Sequence, residues 1–138
     1  MTRRTLTSED IFAANDMEQE WVDTPEWGEN VGVYIQVISA GDRDKLEESM
    51  FENLSDGSKS QARNFRDLRA KLVTLSSVDE NGKSIFKWKE YVKLSEKSSL
   101  VVGRLYSVAQ RLNKLRSADV AELTENLSKG QKEDSPTD

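Results

Sequence analysis

The sequence predicts an α+β fold that is mainly α-helical, an N-terminal β-hairpin followed by a bundle of four to five helices. Three observations predict it. Only two prolines and seven glycines interrupt 138 residues, while Leu, Lys, Glu, Ser and Arg are plentiful, a balance that favours helix. One run alone, residues 31–38, is rich in β-branched side chains and free of charge. After residue 39 the apolar residues recur three and four apart.

Taken in order, Thr7-Ser8-Glu9-Asp10 places an acid three residues after Thr7. That is the pattern of a capping box, so a short helix with Ile11, Phe12, Ala13 and Ala14 on its apolar side is expected. Residues 21–24 and 31–38 flank Pro25-Glu26-Trp27-Gly28-Glu29-Asn30. Two β-rich runs around Pro, Gly and Asn read as a hairpin. Alternation puts Val31, Val33, Ile35 and Val37 on one face and Gly32, Tyr34, Gln36 and Ile38 on the other.

A helix over 39–53 is expected from the Ser39 start and from Leu46, Met50 and Leu54 at four-residue spacing. Residues 55–60 read as a loop. Phe65, Leu68, Leu72 and Leu75 predict a helix over 61–76, flanked by Arg63, Arg66, Arg69 and Lys71. Asp79-Glu80-Asn81-Gly82 is a turn signal. A short helix with Trp88 and Tyr91 follows. A long helix capped by Ser95 or Ser98 then carries Leu100, Val101, Leu105, Val108, Ala109, Leu112 and Leu115. Three units are expected: residues 1–20 with the short helix, 21–116 with the hairpin and helical core, and 117–138 with a weak helix and a disordered polar tail from 128.

The chain has no histidine and no cysteine. Zinc fingers, thiol nucleophiles, disulfides and Ser-His-Asp triads are thereby excluded. No Gly-x-Gly-x-x-Gly or P-loop pattern occurs. The acids Glu18, Glu20, Asp23, Glu26 and Glu29 crowd the hairpin without calcium-loop spacing, and they read as a solvated acidic edge. No catalytic set, cofactor or metal is expected. The charge-free stretch 31–41 is too short to span a bilayer. The first ten residues turn acidic where a signal peptide needs an apolar run, so a cytosolic protein is expected.

The net charge of −5 is unevenly spread. Residues 1–60 hold 5 Lys/Arg and 14 Asp/Glu, residues 61–116 hold 13 and 5, and residues 117–138 hold 2 and 6. Such blocks either attract a second copy or cancel within one fold. The basic block, with Phe86, Trp88 and Tyr91 interleaved, is one route to nucleic acid. The acidic block works against it, and neither nucleic acid nor membrane is expected as a partner. Trp27 at the hairpin turn is either core cover or a partner anchor.

Five segments in order carry a resemblance. They are Leu6-Thr7-Ser8-Glu9-Asp10-Ile11-Phe12-Ala13-Ala14, then Val22-Asp23-Thr24-Pro25-Glu26-Trp27-Gly28, then Leu72-Val73-Thr74-Leu75-Ser76-Ser77-Val78-Asp79-Glu80-Asn81-Gly82 with Ile85-Phe86. Lys97-Ser98-Ser99 and Val108-Ala109-Gln110-Arg111-Leu112-Asn113 complete the set. Together they resemble the tail assembly chaperones of long-tailed bacteriophages with non-contractile tails, over residues 6–115. The resemblance implies a non-enzymatic protein of the infected host's cytoplasm. It would bind the tape measure protein, keep it soluble, help recruit the major tail protein and leave before the virion is complete. It also implies a homo-oligomer, and a longer frameshifted form for which a polar tail would serve as linker. A head–tail junction protein and a nucleic-acid-binding regulator are the readings from other classes.

The residues expected to carry partner or self-association contacts are Trp27, Arg63, Arg66, Arg69, Trp88, Tyr91, Arg104 and Arg111. On the charge pattern, the arginines of the helices would face the acidic hairpin and the helix 39–53 of a second copy.

Overall fold

The structure, a computed structural model, describes residues 2–53, 59–63 and 66–115, the backbone alone within 51–53 and 59–63. The weak helix expected at 117–127, the tail 128–138, Leu54 and Phe65 lie outside the described residues, as does most of the loop 55–60.

Helix α1 (Ser8–Ala13) starts where the capping pattern predicts. The Thr7 hydroxyl accepts from the Asp10 N–H at 3.2 Å, and the Thr7 N–H donates to the Asp10 carboxylate at 3.0 Å. That backbone hydrogen bond holds the Asp10 carboxyl below its usual value. None of the six residues is buried.

Strand β1 (Gln19–Asp23) leads through a 3₁₀ turn at Pro25–Trp27 to β2 (Gly32–Gln36). The two run antiparallel, with Gln19 opposite Gln36 and Asp23 opposite Gly32. They do not form a separate N-terminal hairpin ahead of a helical bundle. A third strand, β5 (Ser77–Val78), pairs with the other side of β2, so the order is β1-β2-β5. The fold is α+β, with an antiparallel three-stranded sheet and five α-helices among the described residues.

The expected helix 39–53 is shorter than its apolar spacing suggests. Helix α2 (Ala40–Glu48) begins at Ser39, whose hydroxyl accepts from the Asp42 N–H at 3.1 Å, and ends before Ser49. Residues Phe51–Asn53 form β3, antiparallel to β4 (Lys59–Arg63). The expected helix 61–76 is likewise cut to α3 (Leu68–Ser76). Asp67 sits in the left-handed region, φ +63°. A left-handed residue cannot continue a right-handed helix upstream, and Asp is among the few that tolerate it. Two short strands thus stand where the ends of two helices were expected.

The Asp79 turn forms as read. Its carboxylate accepts from the Asn81 and Lys83 N–H groups at 2.8 and 3.0 Å, and Gly82 takes φ +79°, a conformation glycine adopts without cost. Val78 then bridges Ser84. A second 3₁₀ turn, Trp88–Glu90, runs into α4 (Tyr91–Leu94). Helix α5 (Ser99–Leu112) starts at Ser98, whose hydroxyl accepts from the Leu100 N–H at 3.2 Å.

Helices α3 and α5 pack on each other, and both contact β2. Ile35, Leu72, Val73, Leu105 and Ala109 are the centre of the core, with Val22, Ile38, Leu46 and Met50 around them. The sequence spacing therefore identified the core residues better than the elements that carry them. Buried Asn113 closes the far end. Its amide oxygen accepts from the Ile38 N–H and its NH₂ donates to the Ala109 carbonyl, each at 2.8 Å.

Candidate interaction surfaces

The sheet presents one face to the helices and turns the other outward. Alternation sends Val22, Val33 and Ile35 inward. Cross-strand partners Trp21, Tyr34 and Val78 share the outer row. There the Trp21 and Tyr34 rings meet edge to face, with centroids 5.1 Å apart, and the Trp21 indole N–H donates to the Asp23 carboxylate at 2.8 Å. Trp21 stays 46 % exposed. It lies over Gly32, where an added Cβ would come within 2.7 Å of the indole and 2.2 Å of the Val22 carbonyl. Glycine at 32 is thus what leaves room for the ring there. At the nearby turn Trp27 is exposed too.

The acidic hairpin and the basic long helix meet within one molecule. Arg104 forks onto Glu26, with Nη1 to Oε1 at 2.9 Å and Nη2 to Oε2 at 2.5 Å, and Nη1 also reaches the Asp23 carbonyl at 3.2 Å. Arg111 donates to Glu20 at 2.5 Å. The fork from Arg104 holds the Glu26 carboxyl down to about 2. Pairs this exposed stabilise little. Their main effect is to commit two of the arginines expected to reach a second copy. The charge blocks cancel here inside the fold, and carboxylates beside these guanidiniums also oppose phosphate.

The remaining expected residues are dispersed. The Trp88 and Tyr91 rings meet at a tilt, centroids 5.1 Å apart and half-buried, with the Lys45 amine 5.5 Å from the Trp88 ring and the Lys71 amine 5.2 Å from the Tyr91 ring. They join α2, α3 and α4. Lys71, expected on the solvent flank of its helix, is buried instead and donates to the Ser49 carbonyl at the end of α2 at 3.3 Å. Arg63 lies on β4 and Arg66 in the turn before α3. Arg69 is exposed, its guanidinium 5.8 Å from the Tyr106 ring. Burial pushes the Tyr106 hydroxyl pKa up, against the lowering effect of Arg69.

The sequence reading missed a groove of about 890 Å³ between the start of α3 and one flank of α5. Its lining includes Leu68, Leu100 and Tyr106 together with the charged Asp67, Arg69, Lys97 and Arg104. Gly103 opens it, for a Cβ there would meet nothing within 4 Å. The one sequence signal was a glycine in the middle of a strong helix pattern, which often marks close approach or function.

Comparison with protein-family models, with curated proteins and with solved structures returns no match. Among the described residues no helix is long and apolar enough to cross a membrane.

Proposed function

We propose that this chain is a tail assembly chaperone of a long, non-contractile phage tail, a non-enzymatic protein that binds the tape measure protein in the host cytoplasm. It keeps that client soluble, helps recruit the major tail protein and is not retained in the mature virion. The ordered sequence segments between residues 6 and 113 support this reading. The observation that carries it is the outward Trp21–Tyr34 plate, with Trp27 at the adjoining turn. Exposed, rigid aromatics at a sheet surface are the side chains that interfaces use as anchors. They suit the apolar stripes of a long amphipathic client. Client binding thus falls to the sheet, not to the basic block.

The test is co-expression with the tape measure protein. Wild type should convert an insoluble client into a soluble complex, and Trp21→Ser with Trp27→Ser should lose most of that effect while keeping the far-ultraviolet circular dichroism of wild type. A client that stays insoluble with wild type, or is as soluble alone, sinks the reading.

A further inference from the structure

The outer face of the sheet is aromatic in the middle and polar to acidic at both ends. Gln19, Trp21 and Asp23 of β1 share that face with Gly32, Tyr34 and Gln36 of β2. On one side of the Trp21–Tyr34 plate the Gln19 and Gln36 carboxamides bond to each other at 2.8 Å. Beyond them is a recess whose lining includes Asn15, Asn81 and Glu80 and neither Lys nor Arg. On the other side lie Asp23 and then the hairpin turn with Trp27 and Glu29.

Charge in this part of the chain is one-sided. The sheet and its turns, residues 15–36 and 77–85, hold eight Asp/Glu and one base, Lys83. Arg104 and Arg111 reach in from α5 and are taken up by Glu26 and Glu20. Eight carboxylates against three cations leave a surplus of five. Glu29 and Glu80, beyond opposite ends of the plate, have no ion-pair partner among the described residues. Such a surface selects its partner by sign: it draws in a basic segment and keeps out an acidic one or a nucleic acid.

Length narrows the partner further. From Gln19 to Asp23 the strand runs about 13 Å, the rise of about nine residues of α-helix. A helix with one apolar stripe can therefore cover the plate and still place a base near each end.

We propose that the outer sheet face seats a basic amphipathic helix of the client. Its apolar stripe lies on Trp21 and Tyr34, and its Lys or Arg side chains point toward Glu29 at one end and Glu80 at the other. The inference rests on the reading above that the plate binds the client, and it specifies which segments of a client the plate accepts.

Labelled peptides of about 18 residues, long enough to be helical, test it by fluorescence anisotropy with the full chain. All carry the same leucine stripe, flanked by lysines, by glutamines or by glutamates. Wild type should bind the lysine peptide about tenfold or more tighter than the glutamate peptide. Glu29→Gln with Glu80→Gln leaves the plate whole. It should weaken the lysine peptide about three- to tenfold and leave the glutamine peptide unchanged. Trp21→Ser with Trp27→Ser should abolish most of the lysine peptide's binding with unchanged circular dichroism.

Equal affinity for the lysine and glutamate peptides overturns the proposal and leaves the plate as a client anchor. Lysine-peptide binding that survives both tryptophan changes also overturns it, since general attraction to a chain of charge −5 needs no plate. A lysine peptide that does not bind wild type overturns it outright. If wild-type oligomers then dissolve in the tryptophan variant, the occupant of the face is a second copy. Co-expression with the tape measure protein is read independently of the peptides, so the two readings fail separately.

Discussion

Helices α1 and α5 begin with related signals and end in opposite circumstances. The cap of α1 is the more complete, a reciprocal pair of bonds between Thr7 and Asp10, whereas α5 has a single bond to the Ser98 hydroxyl. Yet α5 buries Val101, Val102, Leu105, Ala109 and Leu112, and α1 buries no residue. A cap contributes about 1 kcal/mol, while burying one large aliphatic side chain contributes about 1.5–3 kcal/mol. Capping therefore decides where a helix starts, and burial decides whether the fold depends on it.

The sharpest way to break that contrast is to truncate one apolar residue in each. Leu105→Ala, at a site 1 % exposed, should cost about 2–5 kcal/mol, read as a fall in the urea midpoint. Phe12→Ala should stay within about 0.5 kcal/mol of wild type when measured at concentrations where the chain is monomeric. Equal losses would mean that α1 is part of the core. Next comes Asn113→Ala, which strands the buried Ile38 N–H and should cost about 1–3 kcal/mol by the same assay. A neutral result would mean that the end of α5 is not tied to the end of β2.

Periodicity made much of the core legible and little of its framing. Ile35, Leu46, Met50, Leu72, Leu105 and Ala109 lie where the apolar spacing put them, because burial selects side chains before it selects elements. Three things were not legible. The strand Ser77–Val78 is two residues long, too short for any alternation to register. Helix α3 is stopped upstream by the left-handed Asp67, a backbone choice that its residue type permits but does not announce. The pairing of Arg104 and Arg111 with the hairpin joins residues 78 and 91 positions apart. Charge counts along the chain cannot distinguish such pairs from contacts between molecules. Trp27 and Arg69 remain exposed as candidate contacts, whereas Trp88 and Tyr91 are occupied in joining helices.

The Arg104–Glu26 fork refines the comparison from the side of α5, with a smaller effect. Its folded pKa, about 2, lies below the usual 4.5. The pair's contribution is therefore complete above about pH 4.5 and disappears as the pH falls toward 2. Glu26→Gln should lower the urea midpoint slightly near pH 7, with the difference from wild type vanishing across that window. A constant difference at every pH would assign the effect to packing instead of charge.

The smallest global effect belongs to Thr7→Ala, and its smallness is the point. Removing the hydroxyl deletes the acceptor for the Asp10 N–H, about 1 kcal/mol of local helix stability. In a helix that supports the core, such as α5, that loss would appear in the unfolding midpoint. In α1 nothing is buried, so opening the helix exposes no core and the midpoint should not move. The loss should appear instead as amide exchange at Asp10, Ile11 and Ala14 about five times faster, since local openings are measured independently of global unfolding. A shift of the midpoint by the full value of the cap would show that α1 and the core unfold as one unit. The contrast between the two helices would then be one of exposure alone and not of energetic coupling.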